Sequence, residues 1–598
     1  MSSLATPLSA LIDFRSPDEG VAPLRLAFGA PRERLRAMTL AEVVPLLARV
    51  DALARAGAWC VGHLCYEAAG AFDAAFDTHA PADPARPLAA FAIHDAPLQS
   101  AACDIDFDDD ASVQWTAGPR REAFDAAIAA ILRAIADGEV YQVNATAPLT
   151  GQMRGDPLGL FAALRRAQPN AYAAYLDLGD GERLLSVSPE LFFDWRDARL
   201  LARPMKGTAS RGATPAEDAA QAAFLRDAPK ERAENLMIVD LLRNDLSRIA
   251  TPHSVRVPRL FHTEAWPTVW QMSSDVVATT RAGTTLADVF GALFPCGSVT
   301  GAPKVRAMRL IRQLEPEPRG VYCGALGVVQ PGGAATFNVP IRTLALREQG
   351  GAMQVRCGIG SGITADATAA GEWDEWRHKR AFIDRASQAF QLLETLRLDD
   401  GVFVDEAAHL ARLEAAAGHF AFASPLAAAR VALDELRAGH ARGRWRVRLL
   451  ADRGGVARAQ AFALAATPAP VRVALADRPL VGSDGEFVRF KTTRRGHYDA
   501  FAPVDATVFD TLLWNERGEL TEFTRGNLAL RIAGRWLTPA GACGLLPGIA
   551  RARLLREGAI EEAVLVRADL ARAQGIAFFN SLRGWQAAQR VDAPALPT

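Results

Sequence analysis

No uninterrupted apolar run in this chain is long enough to cross a bilayer, although half of its 598 residues are apolar. An excess of one charge is missing too. With 67 Lys and Arg against 68 Asp and Glu, there is no electrostatic reason to expect a nucleic acid or a membrane surface as partner. Basic spots, if they work, would have to serve small anions. The seven cysteines, at 60, 65, 103, 296, 323, 357 and 543, are scattered and lack zinc-ligand spacing. That argues against a disulfide framework and reads as reduced, mostly buried thiols. The opening MSSLATPLSALIDFRSPDEG lacks a basic stretch followed by an apolar one, so no secretion signal is expected and the cytoplasm is the expected location. Internal repeats are lacking, and the only compositional bias is a general richness in alanine. At this length one core rarely suffices, so at least two domains are expected.

What is present alternates between helical and strand periods. PRREAFDAAIAAILRAIADGEV (119–140) carries apolar residues at helical spacing and ends at Asp137-Gly138, and VYQVNATAPL (140–149) alternates like a strand. KERAENLMIVDLLRNDLSRI (230–249) and EWDEWRHKRAFIDRASQAFQLL (372–393) read as helices, GVYCGALGVV (320–329) and AATFNVPIRTLAL (334–346) as strands. LLETLRL-DDG-VFVD then reads as strand, tight turn and returning strand, with no flexible linker before it. The expected domains are therefore 1–388, with a subregion at 1–115, and 389–598, the second alternating strand and helix.

Two pairs of carboxylates share one spacing. Glu231 and Glu234 lie three residues apart on one expected helix, Glu372 and Glu375 on another, so each pair shares a helix face. If the helices meet, a hard cation such as magnesium could be held with water or substrate oxygens in its remaining positions. Alone, each pair is more readily a solvated surface. RPMKGTASRG (203–212) sets Lys206, a potential nucleophile, before Gly-Thr. FPCGSVTGAPK (294–304), with Ser298 and Thr300, and CGIGSGI (357–363) read as glycine-rich loops suited to anions.

SVSPELFF, RPMKGT, KERAENLMIVDLLRNDLSR, FPCGSVTGAPK, YCGALG, FNVPIRTL, GIGSGI and EWDEWRHK occur in this order. Together they resemble the chorismate-utilising enzymes, and among them the aminodeoxychorismate synthase component I branch. The likeness extends more weakly to CYEAAGAFD and DGEVYQVN. It implies an α+β fold of sheets flanked by helices. It implies that Glu234 and Glu375 ligate magnesium, supported by Glu231 and Glu372, and that the metal clamps the ring carboxylate of chorismate. Tyr322 and Arg342 would bind the enolpyruvyl carboxylate with the amides of Gly360 and Gly362, Thr300 would contribute to substrate binding, and Glu190 would protonate the departing C4 hydroxyl. Lys206 together with Gln142 matches the aminodeoxychorismate branch, because anthranilate-forming relatives carry a small residue at the first position and water-adding ones a lysine at the second. In that chemistry the lysine attacks C2 as hydroxide leaves C4, and ammonia then attacks C4 and expels the lysine. An ordinary lysine is almost wholly protonated at neutral pH, so burial or nearby positive charge must lower its pKa. Gln271 stands where most relatives have histidine, and Cys296 where alanine is usual.

RFKTTRRGHYDAF, ELTEFTRGNLAL, GLLPGIARARLL and FFNSLRGW follow. Lys491 reads as following a short strand, Glu522 as beginning a polar turn, and Gly548-Ile549-Ala550 as opening a helix whose free amides suit phosphate. A lysine, an acid and an anion site are what pyridoxal phosphate needs, yet Lys491 alone would pass for surface charge. With ETLRL and HLARL, these motifs resemble fold-type IV pyridoxal phosphate enzymes, most closely the aminodeoxychorismate lyase branch. The resemblance implies a smaller α/β domain in which Lys491 carries the cofactor and Glu522 faces its ring nitrogen. Arg412 and the amides of Ile549 and Ala550 would hold the phosphate, with Thr524 and Asn527 nearby, and Arg583 would meet a substrate carboxylate. The implied reaction is elimination of pyruvate to leave 4-aminobenzoate. A glutamine amidotransferase pattern is lacking, so a separate subunit is expected to supply ammonia. A homodimer through the second part is expected by analogy. The competing readings are an anthranilate-type synthase fused to a transaminase, and a second domain serving only as scaffold.

Overall fold

Phe124, Ile128 and Ile131 bury one face of the helix Arg121–Ala136, which stops where Gly138 takes a φ of 75°. The computed structural model describes residues 7–18, 20–81, 83–98, 111–169, 171–210, 215–265, 269–467, 469–483 and 485–591. The chain divides into two compact units, Met1–Ala389 and Phe390–Thr598. Among the described residues no helix is long and apolar enough to cross a membrane. Six cysteines are free thiols, and Cys103 lies outside the described residues.

The first unit is built on two large sheets, nine- and ten-stranded among the described residues. In the nine-stranded sheet, Ala352–Ile363 pairs antiparallel along nearly its whole length with Gln142–Arg154, with Gly360 opposite Thr146 and Gly362 opposite Asn144. On its other side Thr343–Gln349 covers only Ala352 to Cys357. Among the described residues, one edge of the strand from Gly358 to Ile363 is thereby left without a strand partner. The CGIGSGI segment expected as a loop is thus a strand. Its glycines are explained by close approach: a Cβ on Gly360 would stand 2.4 Å from the Ala145 carbonyl oxygen, and one on Gly358 would stand 2.3 Å from the Tyr322 ring.

Two further expectations change. AATFNVPIRTLAL is two strands in different sheets, Ala335–Asn338 in the ten-stranded and Thr343–Gln349 in the nine-stranded one. The chain turns between them, and Arg342 there takes a φ of 49°. In GVYCGALGVV only Ala325–Val329 is strand, and Tyr322 sits in the preceding turn. Periodicity cannot see such breaks, because the apolar count is the same on both sides of the turn. The two helices bearing the carboxylate pairs are Pro229–Ser247 and Ala369–Ala386.

The second unit holds a four-stranded antiparallel sheet and a mixed eight-stranded sheet among the described residues. Leu392–Asp399 turns through Asp400 and Gly401, at φ of 45° and 79°, into Val402–Phe403. Leu392, Leu396 and Leu398 pack under the helix Glu406–His419.

Candidate active site

Lys206 projects from the strand Met205–Ser210, and its amine stands against Gly362: a Cβ added there would lie 2.5 Å from Nζ and 2.6 Å from Nε2 of Gln142. Only glycine leaves room for both. Gln142 is fully buried, and neither its Oε1 nor its Nε2 has a hydrogen-bond partner among the described residues. Burial lowers the Lys206 pKa; Lys379 adds to that, while Glu234, Glu190 and Glu375 oppose it. The lysine and carboxylates expected to act together are therefore electrostatic neighbours.

Glu190 is buried and accepts a hydrogen bond from Ser298 Oγ at 2.6 Å. Burial raises its pKa to about 7 against the lowering effects of Ser298 and Lys206. Near neutral pH about half of such carboxyls carry a proton, which suits a general acid. Thr300 is also buried, but its hydroxyl donates to the carbonyls of Cys296, at 3.1 Å, and Gly297, at 3.3 Å, so it shapes the loop. Arg342 donates to Gln168 Oε1 and lies 5.9 Å from the Phe382 ring centroid. Burial brings its pKa down to about 10 against the opposing effect of Tyr322.

The two carboxylate-bearing helices act on each other. Burial raises the pKa of Glu231, and Glu234 on its own helix and Glu375 on the other raise it further. Glu372 accepts from Ser361 Oγ, which in turn accepts from Trp376 Nε1 at 2.8 Å. Thr364 Oγ1 donates to Glu234 Oε1 at 3.2 Å. Lysines neutralise part of the cluster: Lys379 lies 2.6 Å from Glu375 and Lys230 lies 3.9 Å from Glu234. Among the described residues no three carboxylates, histidines or cysteines converge into a finished metal cage. Magnesium asks for less, often one or two carboxylates with water and substrate oxygens completing the octahedron. Carboxylates carried on two mutually interacting helices fit that demand.

Lys379 was not anticipated. It also donates to the Gly360 carbonyl at 3.1 Å, and its sequence signals are its place at the end of EWDEWRHK and the four-residue spacing from Glu375. Arg319 was likewise missed: buried, it grips Glu315 at 2.7 and 2.8 Å and donates to the Asn144 and Val299 carbonyls. Gln271 donates to the Gly207 carbonyl at 2.7 Å, fastening the strand that carries Lys206. A cavity of about 680 Å³ is walled in part by Tyr322, Gly358 and Trp376 but not by Lys206 or the four carboxylates.

In the second unit Lys491 follows a short helix, Glu486–Arg489, and not the expected strand. Its carbonyl accepts from Leu393 N at 3.0 Å, which hangs it on the edge of Leu392–Asp399. Burial, Arg495 and Arg412 bring its amine down to about 7 against Glu394 and Glu522. Glu522 lies within the strand Leu520–Phe523 and not at a turn, and burial lifts its carboxyl to about 7. Tyr498, which the sequence did not single out, donates to Glu522 Oε1 at 2.6 Å, and Leu546 N donates to the same oxygen at 3.0 Å.

Gly548 caps the helix Ile549–Arg556, with Ala550 buried in its first turn. Asn527 Nδ2 donates to the Leu546 carbonyl at 3.0 Å, and its Oδ1 stands where a Gly548 side chain would have to go. Thr524 Oγ1 donates to buried Asp510 at 2.5 Å. Arg412 gives Nε and Nη2 to Glu394, at 2.8 and 2.7 Å, and Nη1 to the Pro547 carbonyl at 3.2 Å. Its fork is thus engaged by the protein just before the helix start. Arg583 donates to Thr467 Oγ1 at 2.6 Å and lies 5.6 Å from the Phe509 ring centroid. A buried amine near neutrality, a buried acid and an open helix start are the donor set that pyridoxal phosphate requires.

Residues 78–385 match the chorismate binding enzyme model. The chain belongs to that family. Residues 391–591 match the amino-transferase class IV model, so a fold-type IV unit, a fold that implies pyridoxal phosphate, follows the chorismate-binding unit. Similar relatives of the chorismate-binding unit include aminodeoxychorismate synthase component 1 of Klebsiella aerogenes, 43% identical over 261 residues, which are 44% of this chain and 57% of that protein. Anthranilate synthase component 1 of Streptomyces coelicolor is 38% identical over 276 residues, 46% of this chain and 53% of that protein. The chain thus spans somewhat more than half the length of these relatives. The menaquinone-specific isochorismate synthase of Escherichia coli shares the fold, with a TM-score of 0.51 and 18% identity over 64% of this chain and 90% of that one.

Proposed function

We propose that the first unit aminates chorismate to 4-amino-4-deoxychorismate and that the second removes pyruvate from that product to give 4-aminobenzoate. The observation that carries the reading is the placement of Lys206: its amine lies beside Gln142 over Gly362, among Glu190, Glu234 and Glu375. A lysine there, with a pKa lowered by burial, can add to C2 of the ring while Glu190 delivers a proton to the C4 hydroxyl, which leaves as water. Ammonia then adds at C4 and the lysine departs from C2. The neutral Gln142 side chain has no basic group with which to activate water instead.

Glu234 and Glu375, with Glu231 and Glu372 behind them, would hold magnesium, whose charge would neutralise a substrate carboxylate. Tyr322 and Arg342, supported by the open edge of the strand at Gly360 and Gly362, would receive the second carboxylate. A separate glutamine amidotransferase would supply ammonia.

In the second unit, bound pyridoxal phosphate supplies an electron sink for breaking bonds beside an amine. Glu522, held by Tyr498, would face its ring nitrogen, and the Ile549 and Ala550 amides its phosphate. Lys491, near neutrality, can take the C4 proton of the substrate; enolpyruvate then leaves C3 and the ring becomes aromatic. No amino acceptor is consumed, so the reaction is a lyase reaction.

The test is product identification. Pure protein with chorismate, ammonium and magnesium should yield aminodeoxychorismate without pyridoxal phosphate, and 4-aminobenzoate plus pyruvate with it. Anthranilate as the product would refute the first assignment, and glutamine-dependent turnover by this chain alone would refute the need for a partner.

A further inference from the structure

Glu394 is 1% exposed on a strand face otherwise lined by Leu392, Leu396 and Leu398. An ionised carboxylate buried there is strongly destabilising unless it is fully paired. It is paired twice. His409 Nδ1 lies 2.7 Å from Oε2, and Arg412 grips both oxygens through Nε and Nη2 at 2.8 and 2.7 Å. His409 and Arg412 stand three residues apart on the helix Glu406–His419, so one face of that helix delivers both. The ionised carboxylate can only accept, so Nδ1 of His409 carries the proton. Burial would raise the Glu394 pKa, but Arg412 and His409 hold it at about 2. Arg412 continues the chain through Nη1 to the Pro547 carbonyl, one residue before the cap of the helix Ile549–Arg556. The residue before Glu394, Leu393, binds the backbone of Lys491.

We propose that Glu394 is a positioning residue that fixes Arg412 between the Lys491 amine and the start of the helix Ile549–Arg556, so that one buried carboxylate sets both the cofactor lysine and the phosphate cup. This rests on the reading of Lys491 as the cofactor lysine. The charged groups facing that amine are Arg495, Arg412, Glu394 and Glu522. Within this set Arg412 favours the neutral amine, Glu394 the charged one, and each holds the other in place.

The experiment uses the full chain, with two readouts. The first is pyridoxal phosphate affinity by fluorescence titration. The second is the pH profile of competitive acetylation of Lys491, followed by mass spectrometry on protein freed of cofactor. Glu394→Gln should weaken the affinity about tenfold, the worth of one charge-assisted hydrogen bond. It should also move the labelling midpoint to lower pH, because the anion is lost while the amide oxygen still accepts from Arg412. Arg412→Gln should move the midpoint the opposite way. Midpoints that stay fixed or move together, or an affinity within twofold of wild type for Glu394→Gln, would reduce Glu394 to a tie between strand and helix and overturn the proposal. Should Glu394→Gln not fold, His409→Asn, which weakens one of the two anchors, must lower the affinity and shift the midpoint, or the proposal fails. A wild-type chain that binds no pyridoxal phosphate would instead defeat the functional reading on which this inference rests.

Discussion

Gly362→Ala is the sharpest test of the first site, because the atoms nearest the new methyl are the ends of the Lys206 and Gln142 side chains. Its Cβ would stand 2.5 Å from Lys206 Nζ and 2.6 Å from Gln142 Nε2. Ordinary contact begins near 3.4 Å, so the amine must withdraw by about 0.9 Å. Both tips are flexible, and Gly362 does not use the left-handed φ that would forbid alanine, so the strand itself can stay in place. A displacement of about 1 Å at a nucleophile typically costs on the order of 100-fold in rate, or about 2.7 kcal/mol. The expected result is a kcat for ammonium-dependent amination of chorismate reduced about 100-fold. The thermal midpoint should stay within a few degrees of wild type, and turnover of supplied aminodeoxychorismate should not change. A kcat within threefold of wild type would show that Lys206 does not react where it is placed. Gly360→Ala is the contrast, since its Cβ would press on the Ala145 backbone carbonyl at 2.4 Å and should cost stability first.

Lys206→Ala should abolish amination while leaving pyruvate release from supplied aminodeoxychorismate intact, and Lys491→Ala should do the reverse; product analysis by chromatography reads both. Glu190 must be protonated to act, so the amination rate should fall as pH rises through about 7. Ser298→Ala removes a hydrogen bond that favours the ionised form, so that limb of the pH–rate profile should move to higher pH. An unmoved limb would assign the titration to another group. Arg495 helps keep the Lys491 amine neutral, so Arg495→Gln should raise the pH needed for half-maximal pyruvate release.

The elements with a long, unbroken period were legible in the sequence: the helices Arg121–Ala136 and Pro229–Ser247 lie where apolar spacing put them, whereas Ala369–Ala386 stops seven residues short of the expected end at 393, because Leu392 already belongs to the next strand. Segments whose character depends on a distant partner were not. CGIGSGI is a strand because Gln142–Arg154 accepts it across seven of the eleven residue pairs of that ladder, and a local rule that glycine breaks strands had no access to that partner. The turn at Arg342 is invisible to periodicity for the same reason, since the residues on its two sides join different sheets. Among the site residues, those with a reactive or ligating role of their own were found. Lys379, Tyr498 and Glu394 stand inside the motifs EWDEWRHK, RFKTTRRGHYDAF and ETLRL, but they act as partners of those residues through contacts that the motifs do not display.

The two amines are also prepared in different ways, which no motif distinguishes. Lys491 reaches about 7 because two arginines reinforce burial against two carboxylates. Lys206 has three carboxylates around it and one lysine in its favour, so burial alone does most of the lowering and Lys379 only assists. A lysine that must form and break a bond to carbon in each turnover can use surroundings rich in carboxylates, since these also steady the charge it gains on attack. A lysine that must shed its proton before receiving an aldehyde, and later collect one from carbon, is better served by flanking cations. The same residue type therefore stands among acids in the first unit and beside arginines in the second, as the proposed two-step chemistry requires.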